Sequence, residues 1–307
     1  PSPYKAPGSS GADFLPYPVA MIQARDATGT LLAQTKVVLP ISTELGCKNC
    51  HGGAWKRGVA GMSQATATDI LKDHDRMNLT SLSDMAAPVN CRSCHKDSDT
   101  PDKKIPNLST AIHGLHAVYL AGRGADACNM CHPTEPTGAT RAFRDPHQNA
   151  GLDCTNCHGV IEDHALALLA YEKAQDVPGV TRLMAQIAPV QEPIPPRVPW
   201  NSEPRCQACH TDLKAPDNFQ AFGQWTASPA ELFKVRKDDL DAMACSGCHG
   251  QMHSVYPAHN PYGESRDNLQ PLQYQRAARP LGADGNCKAC HTVDMDMPAH
   301  HPDMGLE

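Results

Sequence analysis

The chain has 307 residues, of which only 5% are aromatic and 20% charged, with a mean hydropathy of −0.45 and a formal net charge of −6. The acidic balance argues against a nucleic acid partner, and the best apolar run, Ala165 to Ala170, is far too short to be a membrane span. A chain of this length can bury a sizeable core, yet so few aromatic residues leave little bulk to fill one, so something other than side chains is expected in the interior.

Residues 1–46 contain no cysteine and read differently from the rest. The first 16 form an arm rich in Pro, Gly and Ser. Tyr17 to Arg25 and Leu31 to Leu39 are rich in strand formers and are separated by Asp26-Ala27-Thr28-Gly29, which predicts a small N-terminal β-hairpin. Two strands alone are only marginally stable, so the hairpin is expected to pack either as a lid over the first site of the segment that follows it or on a neighbouring molecule.

From residue 47 onward the cysteines organise the chain. All 14 fall into pairs: Cys47 and Cys50, Cys91 and Cys94, Cys128 and Cys131, Cys154 and Cys157, Cys206 and Cys209, Cys245 and Cys248, Cys287 and Cys290. A histidine follows each pair: His51, His95, His132, His158, His210, His249 and His291. With 16 histidines in the chain, that coincidence has a chance of about one in a billion. Zinc ribbons use two C-x-x-C knuckles per metal, so seven would strand one and leave the histidines unexplained. Seven disulfides closing such short loops would barely constrain the unfolded chain, and a thioredoxin-like redox pair would be single and set in a βαβ pattern. C-x-x-C-H instead suits covalent attachment of c-type haem: two thiols three positions apart each form a thioether to a vinyl group, and the adjacent imidazole sits under the iron. Seven c-type haems are therefore expected, about 44 residues for each, and they would supply the missing interior.

Four motifs lie in 47–158 and three in 206–291. The gap between them holds a predicted helix at about Glu162 to Ala174 and a second near Val180 to Ile187. The stretch Pro189 to Pro204 follows, with six prolines. This divides the chain into an arm and hairpin over 1–46, a four-haem region over 47–187, a proline-rich linker over 188–205 and a three-haem region over 206–307. Proline, 27 residues in all, is roughly twice its average share, which favours turns and short helices. The fold class expected is mostly irregular coil with short α-helices wrapped around a chain of haems.

Nine histidines lie outside the motifs, enough to give seven irons a second axial ligand. The candidates for the distal position are His74, His113, His116, His147, His164, His253 and His301, with His259 and His300 as alternates. His113 and His116, three apart, share one side of a helix and could reach different irons. His253 is preferred to His259 because it follows the sixth motif closely, and His300 and His301, being adjacent, diverge. The 11 methionines read as packing.

The motif array over 47–301 resembles that of the bacterial and archaeal multihaem c-type cytochromes. Ile112-His113-Gly114-Leu115-His116 and the segment Cys245 to His253 are similar to stretches of large cytochromes in metal-respiring bacteria. The resemblance implies bis-histidine haems that conduct electrons outside the cytoplasm, and several such relatives polymerise into filaments. An extracellular filament subunit is thus one expectation, exchanging electrons with copies of itself, with other cytochromes or with terminal acceptors. A discrete periplasmic or cell-surface carrier is the alternative. A multihaem reductase needs an open iron, and this chain has no C-x-x-C-K of the kind that marks one in the nitrite reductases. No catalytic residue is expected. Pro1 reads as the start of a mature, exported chain, without a lipid-anchored cysteine because every cysteine belongs to a motif.

Overall fold

Gly29 closes the turn that the sequence places between two strands, donating its N–H to Asp26 O over 2.9 Å with φ at +87°. The Asp26 carboxylate ties the same turn from inside, accepting from the N–H groups of Thr28 and Thr30 at 2.9 Å each. The result is an antiparallel pair, β1 (Val19–Arg25) and β2 (Leu31–Val38), with Ile22 opposite Thr35 and an irregularity between Ala24 and Arg25. This computed structural model describes residues 19–38, 45–52, 64–86, 89–97, 104–132, 146–199, 202–211, 219–226, 245–249, 252–253, 280–281, 287–289 and 291–294. The hairpin is the chain's one described sheet. Apolar side chains stand exposed on both of its faces, Met21 at 47% on one and Ile22 at 55% on the other.

The remaining described elements are short helices separated by coil. They are α1 (Gln64–Asn78), α2 (Leu108–Leu120), α3 (Ala125–Asn129), α4 (Pro146–Asn149), α5 (Cys154–His158), α6 (Ile161–Lys173) and α7 (Val180–Met184), with the single turn Cys245–His249 and five 3-10 turns. Among the described residues, no helix is long and apolar enough to cross a membrane. The chain gathers into two units that interleave along the sequence. One comprises Pro1–Pro88, Asn129–Asn149 and His249–Arg279, and the other Val89–Cys128, Ala150–Cys248 and Pro280–Glu307.

The core of the second unit is α6. Ile161, Ala165, Leu166, Ala167, Leu168 and Leu169 are all buried, the signature of a helix covered on nearly every side. Gly114 lets α2 come close: a Cβ there would meet methyl groups of Leu169 and Leu183 at 3.3 and 3.4 Å. Asn107 caps α2, accepting from Thr110 N–H at 2.9 Å, and gives its own N–H to Glu172 Oε1 near the end of α6. Glu162 and Asp163 occupy the first turn of α6, where carboxylates favour the positive end of the helix dipole.

The stretch 188–205, expected as a linker between two halves, lies inside this second unit. Asp163, fully buried, accepts the N–H groups of Val190 and Gln191 at 2.7 and 3.1 Å, and Arg197 N–H reaches Ala167 O at 2.9 Å. Its prolines lay the chain along α6, because residues without an N–H suit an extended path that needs few backbone bonds of its own. Asp163→Ala removes two charge-assisted hydrogen bonds and is expected to cost about 2–3 kcal/mol in denaturant melts, with Asp163→Asn recovering roughly half. An unchanged midpoint for Asp163→Ala would show that the stretch is held by something else.

Candidate functional site

Six of the seven cysteine motifs begin as a tight helical turn. In four of them the histidine N–H bonds back to the carbonyl of the first cysteine: His51 to Cys47, His95 to Cys91 and His210 to Cys206 at 2.9 Å, and His291 to Cys287 at 2.8 Å. In two more, α5 and Cys245–His249, the whole motif is a single α-helical turn. Residues at i, i+3 and i+4 of such a turn share a face, so both thiols and the imidazole project to one side. Asp153 builds this turn for α5, capping Thr155 N–H at 2.7 Å while Asn156 Oδ1 accepts from the Asp153 N–H. Among the described residues, glycine ends two of the motifs, Gly52 at φ +60° and Gly159 at φ +75°. A Cβ on Gly52 would lie 2.7 Å from the Ala65 backbone, so the motif turn sits directly on the start of α1.

Four of the described histidines, His74, His95, His113 and His116, present the same nitrogen. His95 Nδ1 donates to Pro106 O at 2.7 Å, and on α2 His113 and His116 donate through Nδ1 to Ser109 O and Ile112 O at 2.8 Å each. A carbonyl can only accept, so in each ring Nδ1 carries the hydrogen and Nε2 keeps the lone pair that binds a metal. His74 on α1 follows suit: the Thr80 hydroxyl gives its hydrogen to Asp75, so at 3.0 Å it accepts from His74 Nδ1. On α6, His164 lies edge-on to His113 with centroids 4.7 Å apart and to His158 at 6.0 Å. Burial, and then the neighbouring charges of His113, Arg197 and His158, hold His164 well below the usual histidine range, so it is neutral. Its Nδ1 is buried without a hydrogen-bond partner.

Motifs also meet one another. In the first unit, Gly46 N–H bonds to Cys131 O at 2.8 Å and Asn49 Nδ2 to Met130 O at 3.0 Å. This places Cys131 near Cys47 and Cys50, and burial, with those two thiols, pushes its own thiol up to about 12. His253 lies within electrostatic range of His132. In the second unit, Cys128 and Cys154 hydrogen-bond thiol to thiol, which raises the first and lowers the second. Cys206 and Cys245 do the same, bringing Cys245 down to about 6. Leu281 N–H bonds to Cys248 O at 2.9 Å, drawing the approach to the seventh motif onto the sixth.

The donor set fits haem better than zinc. The one group of three or more possible ligands within mutual reach among the described residues is His51, Asp69 and Asp73, which contains no cysteine, whereas structural zinc needs four donors converging on a point. Thiol pairs beside a lone-pair Nε2 are what covalent haem would complete.

His147 lies on α4, while Cys290, His259, His300 and His301 fall outside the described residues. Sequence reading missed Asp69 and Asp73, together with α1, the helix on which they stand four residues apart. It also missed the thiol contacts between motifs, which carry no local signal. No protein-family model, no curated protein and no solved structure matches this chain.

Proposed function

We propose that this chain is a seven-haem c-type cytochrome that conducts electrons along closely spaced haems, exported to the periplasm or the cell exterior. The observation that carries the reading is the motif itself, C-x-x-C-H seven times with no cysteine left over. Bound there, haem would supply reversible one-electron iron chemistry. The polypeptide's work is attachment and positioning. The 14 cysteines anchor, the motif histidines offer Nε2 from one face, and carbonyls such as Pro106 O hold the imidazole orientation.

Two second ligands follow from proximity. His158 and His164, with ring centroids 6.0 Å apart, would hold one iron together. His253, which lies within electrostatic range of His132, would serve with it. His113, closer to His164 than a shared iron allows, serves a different one. Contacts between thiols of different motifs set attachment edges side by side, which favours short electron-transfer distances over isolated sites. Histidines outside the motifs outnumber the motifs, so every iron can take two imidazoles, and a carrier rather than a reductase is the better reading.

The hairpin favours a filament subunit over a discrete carrier. It exposes apolar residues on both faces and has two unpaired edges, a template for a strand or surface of a second copy. Electron cryo-microscopy of the exported protein tests both levels. Haem density at the motifs with neighbouring porphyrin edges near contact supports conduction, and its absence overturns it. Filaments with the hairpin in the protomer contact support the subunit reading, whereas discrete particles favour the carrier.

A further inference from the structure

Resting on the haem reading above, we propose that Asp69 and Asp73 are positioning residues that lower the potential of the iron that His51 would bind.

His51 Nδ1 faces Asp69 Oδ2 at 3.5 Å and Asp73 Oδ2 at 3.8 Å. The two carboxylates stand four residues apart on α1, so one face of the helix presents both. Their placement is fixed by packing. Asp69 Oδ2 accepts the N–H of Gly52, the residue after His51, at 3.0 Å. Gly52 itself is pressed against the first turn of α1, with no room for a Cβ. Arg76 partly offsets Asp73 by binding its other oxygen at 2.9 Å, which leaves Asp69 the stronger influence. His95, His113 and His116 meet neutral carbonyls at the same nitrogen. A carboxylate in that place draws the Nδ1 hydrogen, makes Nε2 more basic and stabilises the more highly charged ferric iron. The same carboxylates favour the oxidised state through space, so both effects lower the potential.

The test is potentiometric titration of the exported holoprotein followed by visible absorbance, for wild type, Asp69→Asn, Asp69→Glu and the double variant Asp69→Asn with Asp73→Asn. Asparagine keeps an oxygen for the Gly52 N–H, so the motif turn is retained. We expect one component, about one seventh of the absorbance change, to move upward in Asp69→Asn by at least tenfold in its reduction equilibrium, about 59 mV for one electron. The double variant should move it further, Asp69→Glu should restore it and the other six components should stay in place. Seven attached haems with every component unmoved overturn this inference and leave the haem reading standing, as does an equal shift in the glutamate variant, which would mark a merely structural role. Absence of haem altogether overturns both.

Discussion

Replacing Cys154 and Cys157 together with alanine should remove one of the seven haems and leave almost no folded protein to isolate. The two cysteines lie on α5, one glycine and one valine ahead of α6, and α6 is the most buried element described. Few aromatic side chains are available to replace a lost porphyrin, since only 5% of the chain is aromatic. Truncating one buried Phe or Trp to alanine already costs about 3–5 kcal/mol. A porphyrin is several times larger, so its loss reaches the whole stability of a typical domain, about 5–15 kcal/mol. Exported yield and intact mass decide it. A six-haem protein melting like the wild type would show that this site does not support the core.

Gly159→Ala is the second large effect, and it arises from one hydrogen-to-methyl change. Gly159 sits at φ +75° and ψ 170°, a region that is essentially glycine's own, where an L-residue costs about 1–3 kcal/mol. Its Cβ would also fall 2.6 and 2.7 Å from Cδ2 and Cε2 of Phe222. Phe222 is buried and packs edge-on against Trp225, whose ring also carries the Arg197 guanidinium, so it has little room to retreat. Overpacking of this kind adds about 1–3 kcal/mol, for a total of about 2–6 kcal/mol. Gly122 provides the control: its φ is +74° with nothing within 4 Å of a Cβ, so Gly122→Ala should show only the strain of about 1–2 kcal/mol. Equal losses for the two variants in a denaturant series would mean that Phe222 yields freely and that the ring contact contributes nothing.

The parts of the fold that follow local rules were legible in the sequence. Asp26 to Gly29 announce the hairpin because a short carboxylate and a glycine are what that turn requires. The helix expected over Glu162 to Ala174 is found at Ile161–Lys173, and that expected from Val180 ends early, at Met184. The path of the proline-rich stretch was not legible, for the opposite reason. Its composition suggests a tie between halves, but what fixes its place is the carboxylate of Asp163, 27 residues before the Val190 N–H that it binds. The interleaving of the two units likewise depends on distant partners such as Gly46 and Cys131, which no window of sequence displays. Among the candidate ligands, His113 and His164 do come together, although nothing in their spacing foretells it. The carboxylates beside His51 belong to a helix that starts 13 residues after it, and only the folded chain shows which face that helix turns inward.

The central claim is that seven covalent haems occupy this chain, and intact-mass measurement of the exported protein under denaturing conditions tests it most directly. The account predicts the polypeptide mass increased by seven haems, every increment surviving denaturation because each is held by two thioethers. A bare polypeptide mass, or one lowered only by the hydrogens lost to disulfides, would contradict it.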